Sequence, residues 1–116
     1  MASPYTDLPE HEWLDKTKAL IEEHPLSLEI IRDIALSSWG TLWQTKIGDG
    51  KTAIRLDEID VPATVVGYFF ERLLARELQS KYPIEWRGAQ SKDEKDLVYL
   101  LNPFFSIEIK TSGQLV

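Results

Sequence analysis

The sequence predicts a mixed α+β fold, with N-terminal helices followed by a β-hairpin. Apolar residues recur at helical spacing as far as about residue 80. Residues 105–111 alternate strictly between apolar and polar, and Asn102-Pro103 just before them is a turn signal. At 116 residues the chain fits one small domain.

The first helix is expected over about residues 9–24. Asp7 reads as its N-cap and Pro9 suits its first turn, with Trp13, Leu14, Thr17, Leu20 and Ile21 at helical spacing. His24-Pro25 ends it, because the residue before proline is pushed out of the helical region. Ser27 caps a second helix over about 27–43, whose apolar face holds Ile30, Ile31, Ile34, Ser38 and Leu42. Trp39 and Trp43 lie beside that face. Gly40 costs about 1 kcal/mol relative to alanine and marks an earlier candidate end. Residues 44–60 read as a loop with a turn at Ile47-Gly48-Asp49-Gly50-Lys51. The third helix is expected over about 62–80, with proline at its start and a stripe of Val66, Phe69, Phe70, Leu73, Leu74 and Leu78. Residues 84–95 read as a polar connector. The hairpin is expected over 96–111.

Composition sets limits on function. There is no cysteine, which excludes a disulfide scaffold, a cysteine zinc site and a cysteine nucleophile, and fits a reducing, cytoplasmic setting. No apolar run approaches the roughly 18 residues of a membrane span, and the N-terminus carries no secretory pattern. The net charge of −6 argues against simple electrostatic capture of nucleic acid. It is uneven, however: residues 1–60 hold 6 Lys/Arg against 12 Asp/Glu, while residues 61–116 hold 7 of each.

The hairpin carries the chemistry. Phe105, Ile107 and Ile109 point one way; Ser106, Glu108 and Lys110 point the other. Glu108 and Lys110 then sit about 7 Å apart on one face. A three-residue loop of Asn102, Pro103 and Phe104 pairs Leu101 with Phe105 and sets Asp96 opposite Lys110, on that same face. A two-residue loop would turn Asp96 away. Two carboxylates and a lysine on one strand surface suit phosphodiester hydrolysis. The carboxylates offer oxygen ligands to a hard divalent cation, and the lysine can orient water or stabilise an oxyanion.

Spacing alone is a weak signal. Acid-x-lysine also occurs at Asp49-Gly50-Lys51 and Asp93-Glu94-Lys95, and charges on a hairpin commonly just face water. Arg87, Gln90, Ser91 and Lys92 lie upstream and read either as phosphate contacts or as ordinary connector polarity. Trp39, Trp43 and Trp86 could stack on bases, although packing is the commoner use. His11 and His24 read as helix-surface residues.

Lys95-Asp96, eleven intervening residues, then Glu108-Ile109-Lys110 resembles the PD-(D/E)xK nuclease motif, with lysine in place of the usual proline. The wider sequence resembles type II restriction endonucleases of the ScaI group. The similar stretches are Met1-Ala2-Ser3-Pro4-Tyr5, Glu12-Trp13-Leu14, His24-Pro25-Leu26-Ser27, Trp86-Arg87-Gly88, Ser91 to Tyr99 and Ile107 to Ser112. The resemblance implies a restriction-endonuclease-like α/β core. It also implies a prokaryotic homodimer that uses Mg2+ to cut double-stranded DNA at a short palindrome, leaving 5′-phosphates. It makes Asp96 and Glu108 metal ligands, with the carbonyl of Ile109 as a third. Lys110 positions the attacking water, and Glu71 is the helical acid that supports the metal or its waters. The family core continues with a further helix and strand, so the chain is expected to hold only part of it. The second reading is a catalytically inactive fragment of such an enzyme that binds DNA or protein. It predicts that Glu108→Ala leaves binding unchanged.

Overall fold

A computed structural model describes residues 3–111. Three helices and two small antiparallel sheets make a mixed α+β fold. In chain order these are α1 (Trp13–Glu23), α2 (Leu28–Gln44), β1 (Lys46–Ile47), β2 (Ile54–Arg55), α3 (Ala63–Lys81), β3 (Trp86–Gly88) and β4 (Leu97–Tyr99).

A 3-10 turn at Glu10–Glu12 leads into α1. Asp7 is not its cap: it takes a left-handed φ of 67° two residues before Pro9, which flanks the turn without a side-chain bond. No residue of α1 is buried. The helix is held by its own leader instead. Tyr5 packs edge-on to Trp13 at 5.9 Å and shares a 2.6 Å hydroxyl contact with Thr17, while Trp13 Nε1 donates to the Leu8 carbonyl.

Ser27 caps α2, its Oγ accepting from Ile30 N at 3.1 Å. Ile34, Ser38 and Leu42, at i, i+4 and i+8, form the buried edge of the helix. The helix continues past Gly40, because burying Leu42 outweighs a glycine cost of about 1 kcal/mol. In α3, Gly67, Leu74 and Leu78 are buried, and Ser38 Oγ donates to Glu77 across the α2–α3 seam. Phe69, expected in the stripe, is exposed.

The stretch 44–60 is more structured than a loop. β1 pairs with β2 (Lys46↔Arg55, Ile47↔Ile54), with Gly48 at φ 84° and Gly50 at φ 68° making the turn. Two-residue strands are too short to show alternation in a sequence.

The connector 84–95 also contains a strand. β3 pairs with β4 in the register Trp86↔Tyr99, Arg87↔Val98 and Gly88↔Leu97. Trp86 is 1% exposed and joins Leu26, Ile34, Leu74, Leu78 and Leu97 in the core. Leu97 and Val98 are both buried, so β4 is covered on both faces.

Residues 105–111 do not form a regular second strand. One isolated bridge, Leu97↔Ile107, joins them to β4. The cause is local. Asn102 Oδ1 accepts from Phe104 N and caps a 3-10 turn over Pro103–Phe105, which uses up residues expected in the ladder. Ser106 Oγ then takes the Tyr99 N–H that a backbone carbonyl would have taken. The observed register differs by two residues from the Leu101↔Phe105 expectation. An even shift preserves faces, so Asp96 is level with Glu108 instead of Lys110.

His24, expected on a helix surface, anchors this segment. Its Nε2 bonds the Phe105 carbonyl at 3.0 Å while its Nδ1 accepts from Leu26 N at 3.1 Å. Both bonds together require the neutral ring with its proton on Nε2.

Candidate active site

One cavity of about 830 Å³ lies between α3 and the residues that follow β3. On α3, Glu71, Arg72, Ala75, Arg76 and Gln79 recur at helical spacing and form one wall. Gln90, Ser91 and Lys92, from the residues after β3, also line it, as do Asp96 and Glu108. Carboxylates from three separate parts of the chain therefore reach one space.

Backbone contacts set the position of each. Asp96 stands immediately before β4, whose pairing with β3 fixes it over α3. Its Oδ2 accepts from the N–H of Ile109 at 2.8 Å, which ties Asp96 to the residue between Glu108 and Lys110. Ile107 and Ile109 are half-buried against the core, whereas Glu108 and Lys110 are exposed. The alternation read from the sequence thus holds without a continuous ladder. The buried Gly67 lets this segment lie close to α3: a Cβ there would overlap Thr111 Oγ1 and stand 3.4 Å from Thr111 Cβ. Glu71 follows one turn later on the same helix.

The carboxylates affect one another. Burial, then the charge of Asp96, pushes the Glu71 carboxyl above its ordinary range; Arg72 pulls it down and Glu108 pushes it further up. The donors are all oxygen, the set a hard divalent cation prefers. Among the described residues, no group of three His, Cys, Asp or Glu side chains is placed to hold a metal ion. One oxygen of Asp96 is engaged by the Ile109 N–H. The donor chemistry fits magnesium. Ile109, whose side chain packs inward, has only its carbonyl to offer.

Lys110 is exposed and is not among the residues that line the cavity. Nor is Arg87. Its guanidinium grips Glu94 with both nitrogens and also donates to the Gly88 carbonyl at 2.9 Å. Glu94 in turn accepts from Gln90 N at 2.8 Å, closing the loop that presents Gln90, Ser91 and Lys92. The Arg87 hydrogen bonds hold the Glu94 carboxyl down to about 2. Gly88 N donates to Gln79 Oε1, fastening the start of the loop to α3.

Reading the sequence missed Arg72, Arg76 and Gln79 as cavity residues. The available signal was their spacing from Glu71 on one helix face. Trp39 packs edge-on against Trp43 and Phe70, and Trp86 is in the core. No described helix is long and apolar enough to cross a membrane.

The profile of a family described as ScaI restriction endonuclease matches residues 3–116. The chain is 34% identical over 114 residues to the type II restriction enzyme ScaI of Streptomyces caespitosus. That alignment covers 96% of this chain and 48% of the relative, so the chain spans about half the relative's length. No solved structure matches.

Proposed function

The chain belongs to the ScaI restriction endonuclease family, and on that premise we propose that it carries the metal-binding and hydrolytic cluster of a Mg2+-dependent endonuclease that cuts double-stranded DNA at a short specific site. The observation that carries this reading is the convergence of Glu71, Asp96 and Glu108 on one cavity; Lys110 follows Glu108 by two residues.

Asp96 and Glu108 would hold the cation, with the carbonyl of Ile109 as a further oxygen ligand and Glu71 supporting from α3. When bound, magnesium supplies charge neutralisation at the phosphate and acidifies a water at neutral pH. The chain's own groups do the rest. The Ile109 N–H keeps one Asp96 oxygen fixed, so the carboxylate has a single orientation to offer. Lys110 orients the attacking water toward the phosphorus and steadies the developing oxyanion. Gln90, Ser91 and Lys92 contact the sugar-phosphate backbone from the loop after β3. Arg87 acts through that loop by holding Glu94. The enzyme works in the cytoplasm as a homodimer, since two symmetric copies match a palindrome and its two strands.

The test is incubation of the chain with high-molecular-weight duplex DNA. Discrete fragments are expected with magnesium, none with EDTA, and none with Lys110→Ala. Uncut DNA from folded protein in excess magnesium would refute hydrolysis by this chain.

A further inference from the structure

Two cavity cations lack a close ion-pair partner among the described residues. Arg72 and Arg76 lie one turn apart on α3, about 6 Å along its axis, and both are exposed at the cavity that holds Glu71, Asp96 and Glu108. Among the described residues neither makes an ion pair within 4.0 Å. The next cations along the chain, Lys81 and Arg87, are held by Glu77 and Glu94. Arginine presents a fork of donors that matches a phosphate bidentately, and backbone contacts of this kind set position without reading bases.

Charge points the same way. Glu94 is neutralised by Arg87. The remaining cavity charges are three acids, Glu71, Asp96 and Glu108, against three bases, Arg72, Arg76 and Lys92. The space is thus balanced by itself, and a divalent cation would tip it positive. The acidic chain as a whole would repel DNA, so attraction has to be local to this wall.

We propose that Arg72 and Arg76 grip backbone phosphates of the strand that enters the cavity, holding it along α3 beside the attacked phosphodiester. This rests on the nuclease reading above.

The test is fluorescence-anisotropy titration of the chain with a mixed-sequence duplex, with calcium in place of magnesium, over a range of salt. Arg72→Gln and Arg76→Gln are each expected to weaken binding severalfold. Each should also reduce the slope of log affinity on log salt by about 0.9, the signature of one lost phosphate contact. Arg72→Lys and Arg76→Lys should keep the slope, because the charge stays. Lys51→Gln, outside the cavity, should change neither. A role in folding alone would lower the melting temperature without moving the slope. If wild type binds and either glutamine variant keeps the wild-type slope, the paired grip is wrong. If wild type binds no duplex at all, the nuclease reading fails and this inference with it.

Discussion

The carboxylate of Asp96 accepts a 2.8 Å hydrogen bond from the backbone N–H of Ile109, the residue between Glu108 and Lys110. One contact therefore joins the end of the loop after β3 to the segment that bears the other two charged groups. Asparagine can keep this bond but loses the charge. Asp96→Asn should fold with near-wild-type stability and lose cleavage by at least about a hundredfold, in line with loss of a group that acts at the transition state. Asp96→Ala should lose cleavage and about 1.5–3 kcal/mol of stability as well. Urea denaturation beside a cleavage assay separates the two.

Glu71 presents a trade-off. Its charge is disfavoured by burial and by Asp96. A carboxylate with a raised folded pKa destabilises the fold as pH rises through that pKa, so at neutral pH Glu71→Gln should raise the metal-free melting temperature. It should also shrink the stabilisation that added magnesium confers. Thermal scans with and without the ion read both effects.

The Arg87–Glu94 clip gives an acid signature. Glu94 is held at about 2, against an ordinary 4.5. With the folded value depressed, its stabilising contribution is complete above the unfolded value and is lost as pH falls from about 4.5 toward about 2. The melting-temperature gap between wild type and Glu94→Gln should be constant above pH 5 or so and close across that window.

Gly67 should be intolerant of branching. Valine would collide with Thr111 and push the segment bearing Glu108 and Lys110 off α3. Gly67→Val should cost about 1–3 kcal/mol and reduce cleavage by more than the unfolded fraction explains, which a cleavage assay on protein kept well below its melting temperature would show.

Much of this was legible in the sequence. Ser27 could be read as a cap, and Ile34, Ser38 and Leu42 as a buried edge, because capping and helical period are local properties. The shared side of Asp96 and Glu108 was also legible, since parity alone decides it and parity survived a two-residue change of register. The register itself was not. It depends on Asn102 and Ser106 diverting backbone N–H groups from the ladder, which no periodicity records. β3 escaped notice because Trp86-Arg87-Gly88 is too short to alternate and is defined by its pairing with β4. Arg87 read as a phosphate contact or as connector polarity; its charge is taken by an acid seven residues on, a contact set by the loop's fold.

On the proposed function, Asp96 and Glu108 jointly hold a divalent cation. Calorimetric titration of the chain with magnesium tests it most directly, in wild type and in Glu108→Gln and Asp96→Asn. Saturable binding to wild type, with affinity reduced at least about tenfold in both variants, is the predicted result. Equal affinities in all three proteins, or no binding to folded wild type, would contradict it.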